Sequence, residues 1–202
     1  MLFRSPDNPL RHDWKLENKF VVGYSGNLGR AHEFETMLAA SEQLRNNSQI
    51  IFLVIGGGHY FNEFTRCVEQ RGLSRNYRFI SYQDRSALKY ALAVPDVHWI
   101  SLRPEVDGLI FPSKFYGIAA AGKPMIAIMA RTSEIAKLVQ QHACGIVIEP
   151  GKSNELARAI LKLSADVESR AAMGRRARAM LEAQFTRQHG FDRWRSIFDS
   201  TG

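Results

Sequence analysis

The chain has only two cysteines among its 202 residues. Cys67 and Cys144 stand far apart, outside any CxxC pair and away from histidines at ligand spacing. That excludes a disulfide framework and a structural zinc site. No apolar run approaches the roughly 20 residues that a membrane-crossing helix needs. The first ten residues are polar and contain Pro6 and Pro9, which does not fit a signal peptide. The GxxxxGK[ST] phosphate loop, the GxSxG nucleophile elbow and the HExxH pair are all missing. Their absence disfavours P-loop nucleotide hydrolases, α/β-hydrolases and zinc peptidases. There is no internal repeat and no low-complexity segment. Acidic residues are in deficit, 20 against 27 Lys and Arg, for a formal net charge of +7. Much of the excess falls late, at Arg170, Arg175, Arg176, Arg178, Arg187, Arg193 and Arg195, with only Glu182 and Asp192 among them. Such a stretch is either a solvated helix face or a surface for an anionic partner, such as nucleic acid or a membrane. The expectation is a cytoplasmic protein, with peripheral contact to the inner membrane left open.

What is present is an ordinary globular composition, 45% hydrophobic and 23% charged, enough for a full core. Residues 19–24 (KFVVGY) form a short β-rich run that stops at SGNLG. Phe34, Met37, Leu38 and Leu44 then recur at helical spacing. Residues 49–55 (QIIFLVI) are a continuous apolar run of strand length, as expected of a parallel strand covered on both faces. A helix over about 60–71 ends at Gly72. Short strands are predicted at 77–81, 97–102, 125–129 and 145–148. Asp84 is a candidate cap for a helix running to Ala93, and Thr132 or Ser133 opens another helix. From Ser153 the chain reads as helical, with breaks near Ser164, Gly174 and Thr186. Alternating strands and helices predict a doubly wound parallel α/β sheet with C-terminal helices. The expected division is a lead-in over 1–18 and one Rossmann-like domain over 19–202.

The densest chemistry lies at residues 108–124, GLIFPSKFYGIAAAGKP, between two predicted strands. Open α/β sheets place ligands at such strand-to-helix junctions, outside the carboxyl ends of the strands. Ser113 and Lys114 stand at the expected helix start, where free N–H groups and the helix dipole favour an anion. Glu105 and Asp107, just upstream, suit hydroxyl recognition. Gly26 and Gly29 follow the first strand without the full GxGxxG spacing, and Gly56, Gly57 and Gly58 follow the second where a ribose-binding acid would stand. Arg30 and His32 lie just past the first turn, placed either to neutralise a pyrophosphate or simply exposed. His59 and His98 read as structural.

Taken in order, YSGNLGRAHEF, FLVIGGG, SYQDRSALKYALAVPDVHWISL, GLIFPSKFYGIAAAGKPMIA and GIVIEPG resemble the C-terminal half of retaining nucleotide-sugar glycosyltransferases of GT-B architecture. Bacterial surface-polysaccharide enzymes of the WbuB-like type are the nearest in pattern. The resemblance covers residues 19–200, and PSKFYGIAAAGKP is its specific part. It implies a domain that holds a nucleotide diphosphate sugar, with an absent N-terminal domain supplying most of the acceptor site. It places donor contacts at Gly26, Asn27, Gly29 and Gly57, at Tyr82 and Gln83 for the base, and at Leu109, Pro112 and Ser113. Glu105, Lys114 and Arg30 are the implied catalytic groups, acting on sugar and diphosphate. Electrostatic support of the leaving diphosphate would carry the reaction; no cofactor and no metal are called for. Two departures stand out. Most members carry a ribose-gripping glutamate where this chain has Gly117, and Asn27 and His32 stand near the places of the usual arginine and lysine. The expected activity is sugar transfer, from a UDP-sugar by preference, to a glycan or lipid-linked hydroxyl, by a fragment inactive alone. The rivals are a nicotinamide-dependent oxidoreductase, disfavoured by the missing fingerprint, and a basic binding module. No nucleic-acid partner is expected, since no aromatic-basic interleaving of a known RNA module is visible.

Overall fold

The structure, a computed structural model, describes residues 8–200. Six strands, β1 (Phe20–Asn27), β2 (Ile50–Gly57), β3 (Tyr77–Ile80), β4 (Val97–Ser101), β5 (Met125–Ile128) and β6 (Gly145–Ile148), form one sheet in the order β3-β2-β1-β4-β5-β6. Every pairing is parallel, so the connections must cross over and cover the faces. The helices are α1 (Pro9–Asp13), α2 (Glu35–Gln43), α3 (Phe61–Gln70), α4 (Leu88–Ala93), α5 (Lys114–Ala120), α6 (Glu134–Gln141), α7 (Ser153–Ala165), α8 (Val167–Gln184) and α9 (Arg187–Ser200). This is the doubly wound α/β fold expected from the sequence.

The unbroken apolar run of β2 has a direct cause. Ile50, Phe52 and Val54 point into a core shared with α2, α3 and α7. Ile51, Leu53 and Ile55 point into a second core with α4 and the segment around Leu16. A strand buried on both faces has no polar side to show. Each such aliphatic side chain contributes about 1.5–3 kcal/mol by leaving water. A third core lies beside the second, where α5, α6 and α8 pack on β4 to β6.

Three details depart from the sequence expectation. Packing begins before residue 19: α1 is capped by Asn8, whose side-chain amide also donates to the Tyr90 carbonyl at 2.7 Å. Arg11 is buried and donates to the carbonyls of Val94 (2.7 Å), Leu16 (3.2 Å) and Lys19 (2.5 Å), and pairs with Asp96 at 3.3 Å. Residues 1–7 of the expected lead-in lie outside the described residues. Gly174 does not break a helix; α8 runs through it. A Cβ there would collide with the Gly122 carbonyl, so glycine lets α8 lie against the end of α5. Asp84 is not a side-chain cap, since α4 starts only at Leu88 after a turn in which Ala87 N–H donates to the Asp84 carbonyl at 2.9 Å.

Three of the seven late arginines bond the ends of other helices. Arg170 donates to the carbonyls of Leu163 and Ser164 at the end of α7. Arg176 donates to Ala143 (2.7 Å), just past α6, and Arg178 to Ala120 (2.6 Å), the last residue of α5. Cations at helix C-termini satisfy orphan carbonyls and oppose the dipole. On α9 the exposed residues include Phe191, Trp194, Ile197 and Phe198.

Candidate functional site

The crossover from β1 leads to β2 on one side, and that from β4 leads to β5 on the other. Their carboxyl ends therefore open a crevice at the switch point of the sheet. There the structure has a cleft of about 510 Å³. Gly26 and Asn27 enter it from the end of β1, and Tyr82 and Gln83 from the loop after β3. Pro112, Ser113, Lys114 and Gly117 enter it from the start of α5. No aspartate or glutamate lines it among the described residues.

Lys114 is its charged centre. Its ammonium donates to the Tyr24 hydroxyl (2.9 Å), to the Asn27 carbonyl (3.3 Å) and to His32 Nε2 (3.0 Å), and lies 4.7 Å from the centre of the Tyr24 ring. Gly26 makes room for it. With φ of 122°, the residue sits where a side chain is strained, and a Cβ would stand 3.4 Å from Lys114 Cε. Burial, with no carboxylate to offset it, pulls the Lys114 pKa down to about 8. Burial and the neighbouring ammonium push His32 down to about 4, so its ring is neutral at pH 7. Tyr24 is pushed well above the usual phenol range, first by burial.

The cleft thus gathers Gly26, Asn27, Tyr82, Gln83, Pro112, Ser113 and Lys114. Gly57 lies beside it, since a Cβ there would be 3.2 Å from the Tyr82 ring. Gly29 forms the following turn, its carbonyl accepting from His32 N–H at 3.1 Å. Arg30 is exposed in that turn and does not line the cleft; His32, one turn on, does. Leu109 is 80% exposed on the loop ahead of α5. Glu105, in a short 3-10 turn (Pro104–Val106), lines a separate groove with Glu33, Glu35, Glu63 and Arg103. Sequence reasoning missed Tyr24 as a site residue. It closes the KFVVGY run, and its strand position gave no hint that its hydroxyl turns to Lys114. His98 is structural: buried within β4, it bonds the Leu92 carbonyl through Nε2 at 2.9 Å.

Beyond Gly117 the cleft is continued by a second cavity of about 730 Å³, which shares Leu88, Leu92 and Gly117 with it. Arg85, Lys89, Arg178 and Glu182 are the charged residues along it. A Cβ at Gly117 would make only ordinary contact with Leu92, at 3.6 Å, so a side chain can start there without a clash.

Comparison with known proteins gives this geometry a family. WbjE of Pseudomonas aeruginosa, named as a glycosyltransferase, is 32% identical over 151 residues, 73% of this chain and 36% of that protein. WcaI of Escherichia coli K12, named as a glycosyl transferase of colanic acid biosynthesis, is 28% identical over 135 residues, 66% of this chain and 33% of that one. The chain therefore spans about a third of the length of these curated relatives. Among solved structures, Anabaena HepE in complex with UDP aligns with a TM-score of 0.81 at 22% identity, over 96% of this chain and 52% of that one. HepE has the same score in its complex with UDP-glucose, 0.81. The C-terminal domain of the group 1 glycosyl transferase LpcC from Francisella tularensis aligns with a TM-score of 0.72 at 16% identity, over 92% of this chain and 97% of that domain. At these identities the structural likeness shows the fold. The profile of the family described as Glycosyl transferases group 1 matches residues 8–180, from α1 into α8, and the chain belongs to that family.

Proposed function

We propose that this domain binds a nucleotide diphosphate sugar, with a UDP-sugar as donor, for transfer to a glycan or lipid-linked hydroxyl in surface-polysaccharide synthesis. The acceptor side would come from a second domain. Within the family we place the chain with the WbuB-like enzymes on its PSKFYGIAAAGKP segment. The observation that carries the proposal is the cleft at the switch point, with Lys114 as its charge and no carboxylate along its wall among the described residues. A diphosphate there meets the Lys114 ammonium beside Ser113 and Gly26, and the base meets Tyr82 and Gln83. As the glycosidic bond to the donor breaks, negative charge grows on the leaving diphosphate. A fixed cation in a partly dry cleft stabilises it more than water would. Glu105 is assigned to donor-sugar hydroxyls and Arg30, exposed in the turn after β1 and outside the cleft wall, to the diphosphate. The UDP and UDP-glucose complexes of HepE support this choice of donor, and the name of WcaI, for colanic acid biosynthesis, supports the choice of pathway class.

A thermal-shift series with UDP, UDP-glucose, GDP, ADP and NADH tests it. A ligand at 100 times its Kd adds about 2.7 kcal/mol to stability, so UDP should raise Tm by several degrees. Stabilisation by NADH without UDP would overturn the proposal. Peripheral contact with an anionic membrane surface is assigned to α9, where Arg187, Arg193 and Arg195 accompany the exposed Phe191 and Trp194. Salt-sensitive co-sedimentation with anionic but not neutral vesicles is the expected outcome.

A further inference from the structure

An ammonium has three N–H donors, and all three of those on Lys114 have acceptors within the protein. The three acceptors are not equivalent. The Tyr24 hydroxyl gives its own proton to the Asn27 carbonyl at 2.7 Å, which leaves a lone pair for Lys114. His32 Nδ1 lies 2.8 Å from the Ser101 carbonyl. A carbonyl can only accept, so Nδ1 carries the ring proton and Nε2 presents a bare lone pair to Lys114. Tyr24 and His32 are buried, at 1% and 8% exposure. Losing Lys114 would leave either acceptor with an unmade hydrogen bond in a mostly buried place. Asn27 differs. It is exposed, its bond to Lys114 is the longest of the three, and its carbonyl keeps the Tyr24 proton when Lys114 turns away.

Resting on the donor-cleft reading above, we propose that Tyr24 and His32 are positioning residues that hold Lys114 by two bonds, while the Asn27 carbonyl is a placeholder exchanged for an oxygen of the ligand's diphosphate. The exchange leaves no buried group unpaired. It also swaps a neutral acceptor for an anionic one, and hydrogen bonds to charged partners are the stronger kind. The titratable groups facing Lys114 are Tyr24 from β1, His32 from the loop before α2, and Tyr82 from the loop after β3. None is a carboxylate, so the half-buried ammonium has no anionic partner in the cleft wall among the described residues, and a ligand's negative charge fits there. His32 can serve only while neutral, because a protonated Nε2 would aim a second donor at the ammonium.

Calorimetric titration with UDP and with uridine tests the assignment in the wild type, Tyr24→Phe, His32→Phe and His32→Gln. Tyr24→Phe removes one anchor, and the exposed Asn27 carbonyl is left to water. UDP affinity should fall about tenfold in Tyr24→Phe and His32→Phe, with uridine affinity changed less than twofold. His32→Gln, which restores an amide acceptor, should recover most of the loss. UDP affinity of the wild type should decline above about pH 8, and this midpoint should move down in both Phe variants. Equal losses for UDP and uridine, or no loss in folded variants, would overturn the positioning roles. A measurement on the wild type covers variants that fail to fold. The His32 ring ¹⁵N signals should report the Nδ1–H tautomer with and without UDP, and the Lys114 pKa should rise on binding. A ring that changes tautomer, or an unmoved Lys114, sinks the exchange. If the wild type binds neither UDP nor inorganic pyrophosphate, the donor reading fails, and this inference fails with it.

Discussion

The loop between β4 and α5 feeds two grooves at one edge of the sheet. Its far end, with Pro112, Ser113 and Lys114, lines the cleft of about 510 Å³ that has no carboxylate among its described residues. Its near end, with Arg103 and Glu105, lines a groove of about 400 Å³ shared with Glu33, Glu35 and Glu63. The division is sharpest at residues 32 and 33. His32 lines the cleft and bonds Lys114, while Glu33 lines the acidic groove and accepts from Thr36 N–H at 2.8 Å. Burial pushes both toward their neutral forms, His32 downward and Glu33 upward. By charge alone, the proposed nucleoside diphosphate would favour the cleft over the acidic groove, although their residues are neighbours in sequence. Proximity along the chain is thus a poor guide to shared duty at a strand-to-helix junction, because successive side chains leave in opposite directions.

The largest expected effect comes from removing the charge that separates the grooves. Lys114→Ala should lower UDP affinity about 100-fold, the scale of one or two charge-assisted hydrogen bonds. Uridine binding should change little. Calorimetry with both ligands checks it, and equal losses would place the diphosphate elsewhere. The alkaline limb has the same origin. Since Lys114 loses its proton near pH 8, wild-type UDP affinity should fall toward tenfold per unit above that point. In Lys114→Ala that limb should vanish.

Next comes stability in acid. His32 and His98 have folded pKa values near 4, below the ordinary 6.5. Between pH 4 and 6.5 the unfolded chain binds more protons, so stability rises with pH across that window and is lost on acidification. Each shift corresponds to about 3 kcal/mol at full extent. The acidic groove works the other way. Glu33 has its pKa raised, so its contribution falls as pH climbs past the ordinary carboxylate range. The histidines, with the larger shifts, should dominate. Urea denaturation from pH 4 to 7 should show stability climbing, with a shallower climb in His32→Gln. A flat profile in the wild type would mean that His32 is not held neutral.

How far the sequence foretold this arrangement depended on how local each cause is. The strand predicted at 49–55 was legible because burial on both faces writes itself as an unbroken apolar run, and β2 runs on through Gly57. The start of α5 at Lys114 was legible from Pro112, Ser113 and the small residues after them. Gly26 and Lys114 were placed at one sheet edge by the rule for open α/β sheets alone. The partners of Lys114 were not legible, because Tyr24 and Lys114 are 90 residues apart and meet only through the β1–β4 adjacency. Arg30 looked the better cation after the first glycine turn, yet the turn points it outward and brings His32 inward. Gly174 looked like a helix stop because glycine usually is one; its cause is a close approach to Gly122 that only the packed helices reveal. α1 was hidden in a polar stretch because what anchors it is a buried arginine, two of whose acceptors, Val94 and Asp96, lie far along the chain.

The smallest expected effect on binding belongs to Glu105. Exposed in its 3-10 turn and set in the acidic groove, it makes no part of the cleft wall. Glu105→Gln keeps size and shape and removes only charge. If the two grooves act separately, UDP affinity should change less than twofold, because one screened carboxylate outside the cleft exerts a weak field on the diphosphate. Sugar transfer is a different readout. In a transfer assay with the proposed second domain supplied, a carboxylate that accepts hydrogen bonds from donor hydroxyls should matter about tenfold in kcat/KM, the worth of one charged hydrogen bond. Lower transfer with unchanged UDP binding would assign the acidic groove to the sugar and the cleft to the nucleotide. Unchanged transfer would remove Glu105 from the site. A large gain in UDP affinity would break the comparison itself, for it would show that the charge of the acidic groove reaches into the cleft and that the two behave as one site.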